Sequence, residues 1–202
     1  MEAPEAKLVR ASFTPGADGV RVLLDALASP LPRLRILALR GLVRHDAVRE
    51  ELWRTALRDV DVDVRRDALE QFAHAPLATP LVLADVISLL EDEDDLVVDA
   101  AAFALGEHLV VSAVSPLCRV ATEHEDARCR ESAVAALGAI GDDRARATIL
   151  AALDDKPAIR RRAIVALSNF EGPDIDAALE RASEDRDWQV RSAVAQLRDD
   201  EH

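Results

Sequence analysis

One five-residue phrase recurs six times along this chain, and nothing else in the sequence constrains the fold as tightly. It reads Leu34-Arg35-Ile36-Leu37-Ala38, Val64-Arg65-Arg66-Asp67-Ala68, Val97-Val98-Asp99-Ala100-Ala101, Cys129-Arg130-Glu131-Ser132-Ala133, Ile159-Arg160-Arg161-Arg162-Ala163 and, more loosely, Val190-Arg191-Ser192-Ala193-Val194. Successive phrases begin 30, 33, 32, 30 and 31 residues apart. A fixed period of roughly 20–50 residues means stacked units, none of which can bury its apolar face alone. The 202 residues are therefore expected to form a single array, with repeats over 16–46, 47–76, 79–109, 111–141, 142–171 and 172–202.

Each repeat reads as two helices. The second, helix B, carries small or apolar residues at offsets 0, +3, +4, +7 and +8 from the start of the phrase. In the fourth repeat these are Cys129, Ser132, Ala133, Ala136 and Leu137. Such offsets form one stripe at 3.6 residues per turn. Ala at +4 (Ala38, Ala68, Ala101, Ala133, Ala163) keeps the stripe slim enough for a neighbouring backbone to approach. Helix A precedes it, at Val20–Leu27, Glu50–Leu57, Leu81–Leu90, Pro116–Thr122, Arg144–Leu153 and Ile175–Ala182. Pro80, Pro157 and Pro173 fall at first turns, where a missing N–H costs nothing. Pro116 should bend or begin its helix. Gly138 and Gly141 are read as a helix end and the turn beyond it.

Half the residues are hydrophobic but only 3% are aromatic, so the core is built from Leu, Val, Ala and Ile. The net charge of −13 is unevenly spread. Residues 1–66 hold 12 basic and 10 acidic side chains; residues 67–118 hold 10 acids and no Lys or Arg; residues 119–202 hold 13 basic and 18 acidic. The acidic middle repels phosphate backbones and anionic lipid. It confers solubility and suits a basic partner. Cys118 and Cys129, the two cysteines, sit in apolar helical positions without metal-ligand spacing, which suggests small buried hydrophobes in a reducing compartment. The acidic start Met1-Glu2-Ala3-Pro4-Glu5 is not a secretory leader, and no run of 18 apolar residues occurs. A cytoplasmic location is expected.

Five phrases carry Arg at +1 (Arg35, Arg65, Arg130, Arg160, Arg191), and four are preceded by Asp at −5 (Asp59, Asp92, Asp154, Asp185). Because the Asp travels with the Arg, the pair reads as a structural ladder between successive loops rather than an anion-binding row.

The whole pattern resembles HEAT repeats, of the short HEAT-like type first associated with phycobilisome lyases, over about 16–198. Its best pieces are 92–106 and 130–142. The resemblance implies an all-α fold, a right-handed α-solenoid (alpha-alpha superhelix) of about six HEAT-like helix pairs. Helices A would be convex and helices B would line a concave groove. It further implies a scaffold or adaptor more than an enzyme. The hydroxylase branch of the family carries His-Glu iron ligands at +2 and +3 of helix B; here those positions hold Ile36-Leu37, Arg66-Asp67, Asp99-Ala100, Glu131-Ser132 and Arg161-Arg162. Nothing specifies the tetrapyrrole pocket of the lyase branch. The alkylpurine DNA glycosylase branch needs a basic groove with aromatics, against which the acidic middle speaks.

Other chemistry is equally thin. His45, His74 and His108 recur at +10 or +11, but helices packed about 8–10 Å apart do not bring three such side chains to one ion; a helix C-terminus explains them better. His124 is placed in a loop and His202 at the terminus. The glycines form no phosphate loop, and Glu91-Asp92-Glu93-Asp94-Asp95 lacks the ligand alternation and Gly of a calcium loop. No catalytic residue, metal or cofactor is expected.

Offsets +2, +6 and +9 of helix B point away from the core, among them Ile36, Ala135 and Val165 besides the charged positions and Phe103. The candidate partner-binding residues are therefore Arg40, Arg66, Glu70, Asp99, Phe103, Glu131 and Arg161, with Phe103 as apolar anchor between Asp99 and Glu131. The expected partner is another protein, such as a basic peptide segment, held in the groove. The alternatives are an accessory subunit, a lyase-type enzyme, or nucleic-acid binding through Arg160, Arg161 and Arg162. Phe13 and Trp188 are expected to cover open core at the two end repeats.

Overall fold

The structure is a computed structural model that describes residues 3–76 and 79–200; His202 lies outside them. The described residues contain thirteen α-helices and no strand. They are α1 (Pro4–Ala11), α2 (Ala17–Ala26), α3 (Pro32–Arg44), α4 (Glu50–Leu57), α5 (Val62–Phe72), α6 (Pro80–Ser88), α7 (Asp95–Glu107), α8 (Val114–Glu123), α9 (Ala127–Ile140), α10 (Arg146–Ala151), α11 (Pro157–Leu167), α12 (Pro173–Ala182) and α13 (Trp188–Asp200). From α2 onward they alternate as the A and B helices read from the period. This is an all-α helical-repeat solenoid. No described helix is long and apolar enough to cross a membrane.

Local chemistry sets the helix starts. Asp61, Asp94 and Asp126 accept N–H groups of the first turns of α5, α7 and α9, a cap that stabilises by about 1 kcal/mol each. The acidic run 91–95 is thus a capping loop, with Asp92 accepting from the Asp94 N–H as well. Pro32, Pro80, Pro157 and Pro173 occupy first turns. Pro116 is the third residue of α8 and belongs to its first turn. Gly141 ends α9 in the left-handed region at φ 67°, whereas Gly138 does not mark an end. It lies inside α9, buried, because a Cβ there would meet Ala166 of α11 at 2.5–2.6 Å. Gly106 of α7 meets Ala136 of α9 in the same way, at 2.9 Å.

The chain divides into two compact units, Met1–Leu89 and Leu90–His202. In the N-terminal unit, α1 is an element the period did not announce. It packs on α2 and α3 and buries Leu8 and Ala11 with Leu23 and Leu42. Trp53 of α4 meets Phe72 of α5 edge-on, centroids 5.6 Å apart. Arg54 of α4 and Arg58, the residue that follows that helix, clasp the buried Asp85 of α6 at 2.9 and 2.5 Å. Phe13 does not cover core: it is 64% exposed beneath the Arg44 guanidinium, 4.4 Å from the ring centroid.

Asp67 is the odd carboxylate of this unit. It is buried, Arg40 donates to its Oδ1 at 2.7 Å, and its Oδ2 has no hydrogen-bond partner. Burial raises its pKa above the ordinary carboxylate value despite Arg40. An acid raised by folding favours the protonated fold, so its contribution to stability is lost as pH rises through that raised value. Asp67→Asn is therefore expected to leave the neutral-pH melting temperature unchanged or higher, and to remove that alkaline-side loss in a pH series of thermal melts.

In the C-terminal unit, α7, α9, α11 and α13 pack in sequence through a nearly all-aliphatic core. The +4 alanines are buried throughout the chain: Ala38, Ala68, Ala101, Ala133 and Ala163 are all 0% exposed. At the far end, Trp188 is the first residue of α13, not a loop residue, and it is 66% exposed rather than covering core.

The arginine ladder is present. Arg35 grips Asp59 through Nε and Nη2 at 2.8 and 2.6 Å. Arg130 grips Asp155 at 2.7 and 2.9 Å, and Arg160 grips Asp185 at 2.9 and 2.7 Å. The partner of Arg130 is Asp155 and not its neighbour Asp154. In each case Nη1 donates back to a carbonyl at the start of its own helix: Ser29 for Arg35, His124 and Glu125 for Arg130, Asp155 for Arg160. The aspartates also accept a loop N–H. One guanidinium thus fastens two successive repeats in a bidentate, charge-assisted geometry.

One link inside the C-terminal unit is different. Val98 replaces the third Arg, and His124 stands where the fourth repeat would carry its Asp. Both halves of the pair have changed together. Neutral donors take the place of the buried Arg–Asp grip: Cys129 Sγ–H donates to the Asp95 carbonyl at 3.1 Å, and the Ser132 hydroxyl to Asp99 Oδ1 at 2.5 Å; the charged pair that also joins these repeats, Arg119 with Glu91 at 2.8 Å, is exposed.

Candidate functional site: the open face of the B helices

Of the candidate residues, Arg40, Arg66 and Glu70 lie in the N-terminal unit and are committed to ion pairs, Arg40 across to α5 and the other two along α5. Arg40 holds Asp67. Arg66 holds Asp63 at 3.0 Å and Glu70 at 3.6 Å. Asp99, Phe103, Glu131 and Arg161 lie in the C-terminal unit. Phe103 is 48% exposed and lines a cavity of about 270 Å³ with Glu107, Glu131, Ser132, Ala135, Ala139 and Arg162. Asp99 reaches this cavity through Ser132. Arg161 lines a second cavity, of about 450 Å³, with Val165, Trp188, Gln189, Ser192 and Gln196. Arg162 borders both and pairs with Glu131 at 3.5 Å.

Val165, an outward position at the same +6 offset as Phe103, also lines this face, whereas Glu107, Arg162 and Trp188 lie at none of the outward offsets and were missed. The three consecutive arginines do not stand together: Arg161 and Arg162 border the second cavity, and Arg160 does not. Arg160 is buried on Asp185, Arg161 donates to Gln189 Oε1 at 3.3 Å, and Arg162 faces Glu131.

Asp95, His124 and Cys129 bring three potential ligand atoms within 4.8 Å of one another, yet the chemistry around them is wrong for a metal. The Asp126 backbone N–H donates to His124 Nδ1 at 3.2 Å, so the ring proton is on Nε2, which faces Asp95 at 3.8 Å. A ligating imidazole needs the reverse, its second nitrogen donating to an acceptor. Burial, and then the surrounding Asp126, Asp95 and Asp99, push the Cys129 thiol up to about 12. A thiol so protonated and 0% exposed is not a nucleophile. The other histidines serve helix ends: His45 and His108 follow α3 and α7 directly, and His45 Nε2 donates to the Ala11 carbonyl at 3.0 Å.

The sequence model of HEAT repeats matches residues 83–168 and 114–198, together more than half of the chain. The chain belongs to the HEAT-repeat family. No curated protein matches it. Among solved structures, an engineered protein superposes with a TM-score of 0.66 at 19% identity, covering 90% of this chain and 95% of that one. The CpcE–CpcF complex of phycocyanin lyase from Nostoc sp. PCC7120 gives 0.64 at 21% identity, covering 90% and 77%. A designed armadillo repeat protein in complex with the peptide (KR)4 gives 0.58 at 16%, covering 98% and 99%. At these identities the likeness concerns the fold.

Proposed function

We propose that this protein is a non-catalytic, cytoplasmic protein-interaction scaffold, a single array of six repeats. It holds a segment of another protein against the open B-helix face of its C-terminal unit. The observation that carries this reading is Phe103: a large apolar side chain, half exposed, framed by Glu107 and Glu131 above a shaped cavity. Repeat proteins use such extended faces to hold partners, and anchors of this kind dominate binding energy when they become fully desolvated. The fold is shared with a designed armadillo protein that binds a basic peptide and with a lyase complex, which supports a protein partner. The protonated, buried Cys129 supports the non-enzymatic reading.

The test is an affinity capture from the source cell followed by titration of the captured partner. Phe103→Ala is expected to weaken binding at least tenfold, and charge reversal at Asp99 and Glu131 to do the same, with the melting temperature of Phe103→Ala little changed because its ring is half exposed. A partner that binds all these variants normally would remove the assignment of this face.

A further inference from the structure

We infer that the segment bound on this face is an extended peptide of mixed charge, carrying Lys or Arg at the α7 end and Asp or Glu at the α13 end. The inference rests on the proposed reading of the face and goes beyond it by giving the partner a chemical pattern. The two cavities have opposite polarity. The first is lined by Glu107 and Glu131, with Asp99 beside it and Arg162 as its one cation. The second is lined by Arg161 and Arg162 and no carboxylate. A wholly basic segment would be attracted to one half and repelled by the other, and a wholly acidic one the converse; charge complementarity of this kind sets register and excludes wrong partners. Each half also offers an exposed apolar contact, Phe103 at 48% in the first, Val165 at 53% and Trp188 at 66% in the second. An extended chain advances far enough per residue to present an apolar side chain and a charge to each cavity within a short segment, whereas a helix rises only about 1.5 Å per residue.

The spacing follows from the repeat. Phe103 and Val165 occupy the same offset two B helices apart, and helices packed about 8–10 Å apart place them about 16–20 Å from each other. An extended chain advances about 3.3 Å per residue, so the two apolar side chains of the partner are five or six positions apart, each next to its charge.

The experiment titrates the full chain with four synthetic octapeptides: Arg-Leu-Ser-Gly-Ser-Gly-Leu-Asp, the same residues in reverse order, and versions with Arg at both ends or Asp at both ends. Trp188 is the reporter, because it is exposed whereas Trp53 is 7% exposed against Phe72. One of the two mixed-charge orders is expected to shift the emission to shorter wavelength and to bind at least tenfold more tightly than either single-sign peptide. Glu131→Lys combined with Arg161→Glu should transfer that preference to the opposite order. Equal binding of a single-sign peptide, or no shift with either mixed order at millimolar concentration, overturns the inference. The failures are separable. If a captured partner is lost on Phe103→Ala but is indifferent to the double charge swap, the face stands and the charge pattern falls; if Phe103→Ala has no effect on it, the face itself falls.

Discussion

Gly138→Leu is expected to lower the stability of the C-terminal unit by about 4 kcal/mol or more, read as the fall in its denaturation midpoint. The first atom added already conflicts: a Cβ at 138 stands 2.5 Å from the Ala166 Cβ and 2.6 Å from its Cα. The second of these is backbone, so α9 and α11 must move apart. Overpacking a well-filled core costs about 1–3 kcal/mol for extra methylenes that side chains can absorb, and here no side chain can. Gly138→Ala should still cost about 2 kcal/mol, although Ala is the better helix former by about 1 kcal/mol. Ala195→Leu, on the exposed side of α13, is the control and should stay within about 0.5 kcal/mol. If Gly138→Ala were stabilising, the close approach of α9 and α11 would be wrong.

The second large effect concerns the ladder. Asp185→Ala removes the partner of Arg160, whose side chain is 6% exposed, and leaves a guanidinium with only the Asp155 carbonyl to donate to. Stranding a buried charge costs about 3–5 kcal/mol; since the Asp185 side chain keeps 16% exposure, about 2–3 kcal/mol is expected. Arg160→Ala should cost less, because the carboxylate left behind is better solvated and keeps the Asp187 N–H. The same links give the protein its acid response. The gripping guanidiniums hold Asp155 and Asp185 below the ordinary carboxylate value of 3.8. Groups depressed by folding contribute stability above their unfolded pKa and lose it as pH falls through the folded value. Thermal melts should therefore drop below about pH 4, where Asp126 and Asp142, held at about 2 by Arg128 and Arg144, also respond, and Asp155→Asn with Asp185→Asn should make that drop shallower. A drop of the same depth in the double variant would place the acid sensitivity elsewhere.

The helix pairs, the buried +4 alanines and the ladder were legible because they repeat: a signal weak in one copy is unmistakable in six. What the sequence hid is what occurs once. Helix α1 precedes the first full phrase, and Leu8 and Ala11 alone set no period. Gly138 looked like a stop because glycine both breaks helices and lets them touch; only the neighbour Ala166 decides. Asp154 and Asp155 are adjacent, and which one faces Arg130 depends on a 3-10 turn at Ala152–Asp154. Phe13 and Trp188 were expected to bury their rings, the usual fate of aromatics, but both stand in solvent. Of the candidate site, Phe103, Asp99 and Glu131 were legible from one face of helix B. Arg40, Arg66 and Glu70 shared the offsets, but no offset reveals that each is held by an opposite charge on its own helix or the next B helix.

The seam between the third and fourth repeats carries one further consequence. Dissolved ions weaken attraction between opposite charges at a protein's rim, and a thiol or hydroxyl donor is scarcely touched by them. Concentrated brine should therefore loosen the Arg119–Glu91 pair of this seam, whose side chains are 55% and 74% exposed, while leaving the shielded joints made by Arg130 and Arg160 and the one made by Cys129 and Ser132 nearly as they were, so that the strength of the seam becomes a property of the medium as well as of the chain.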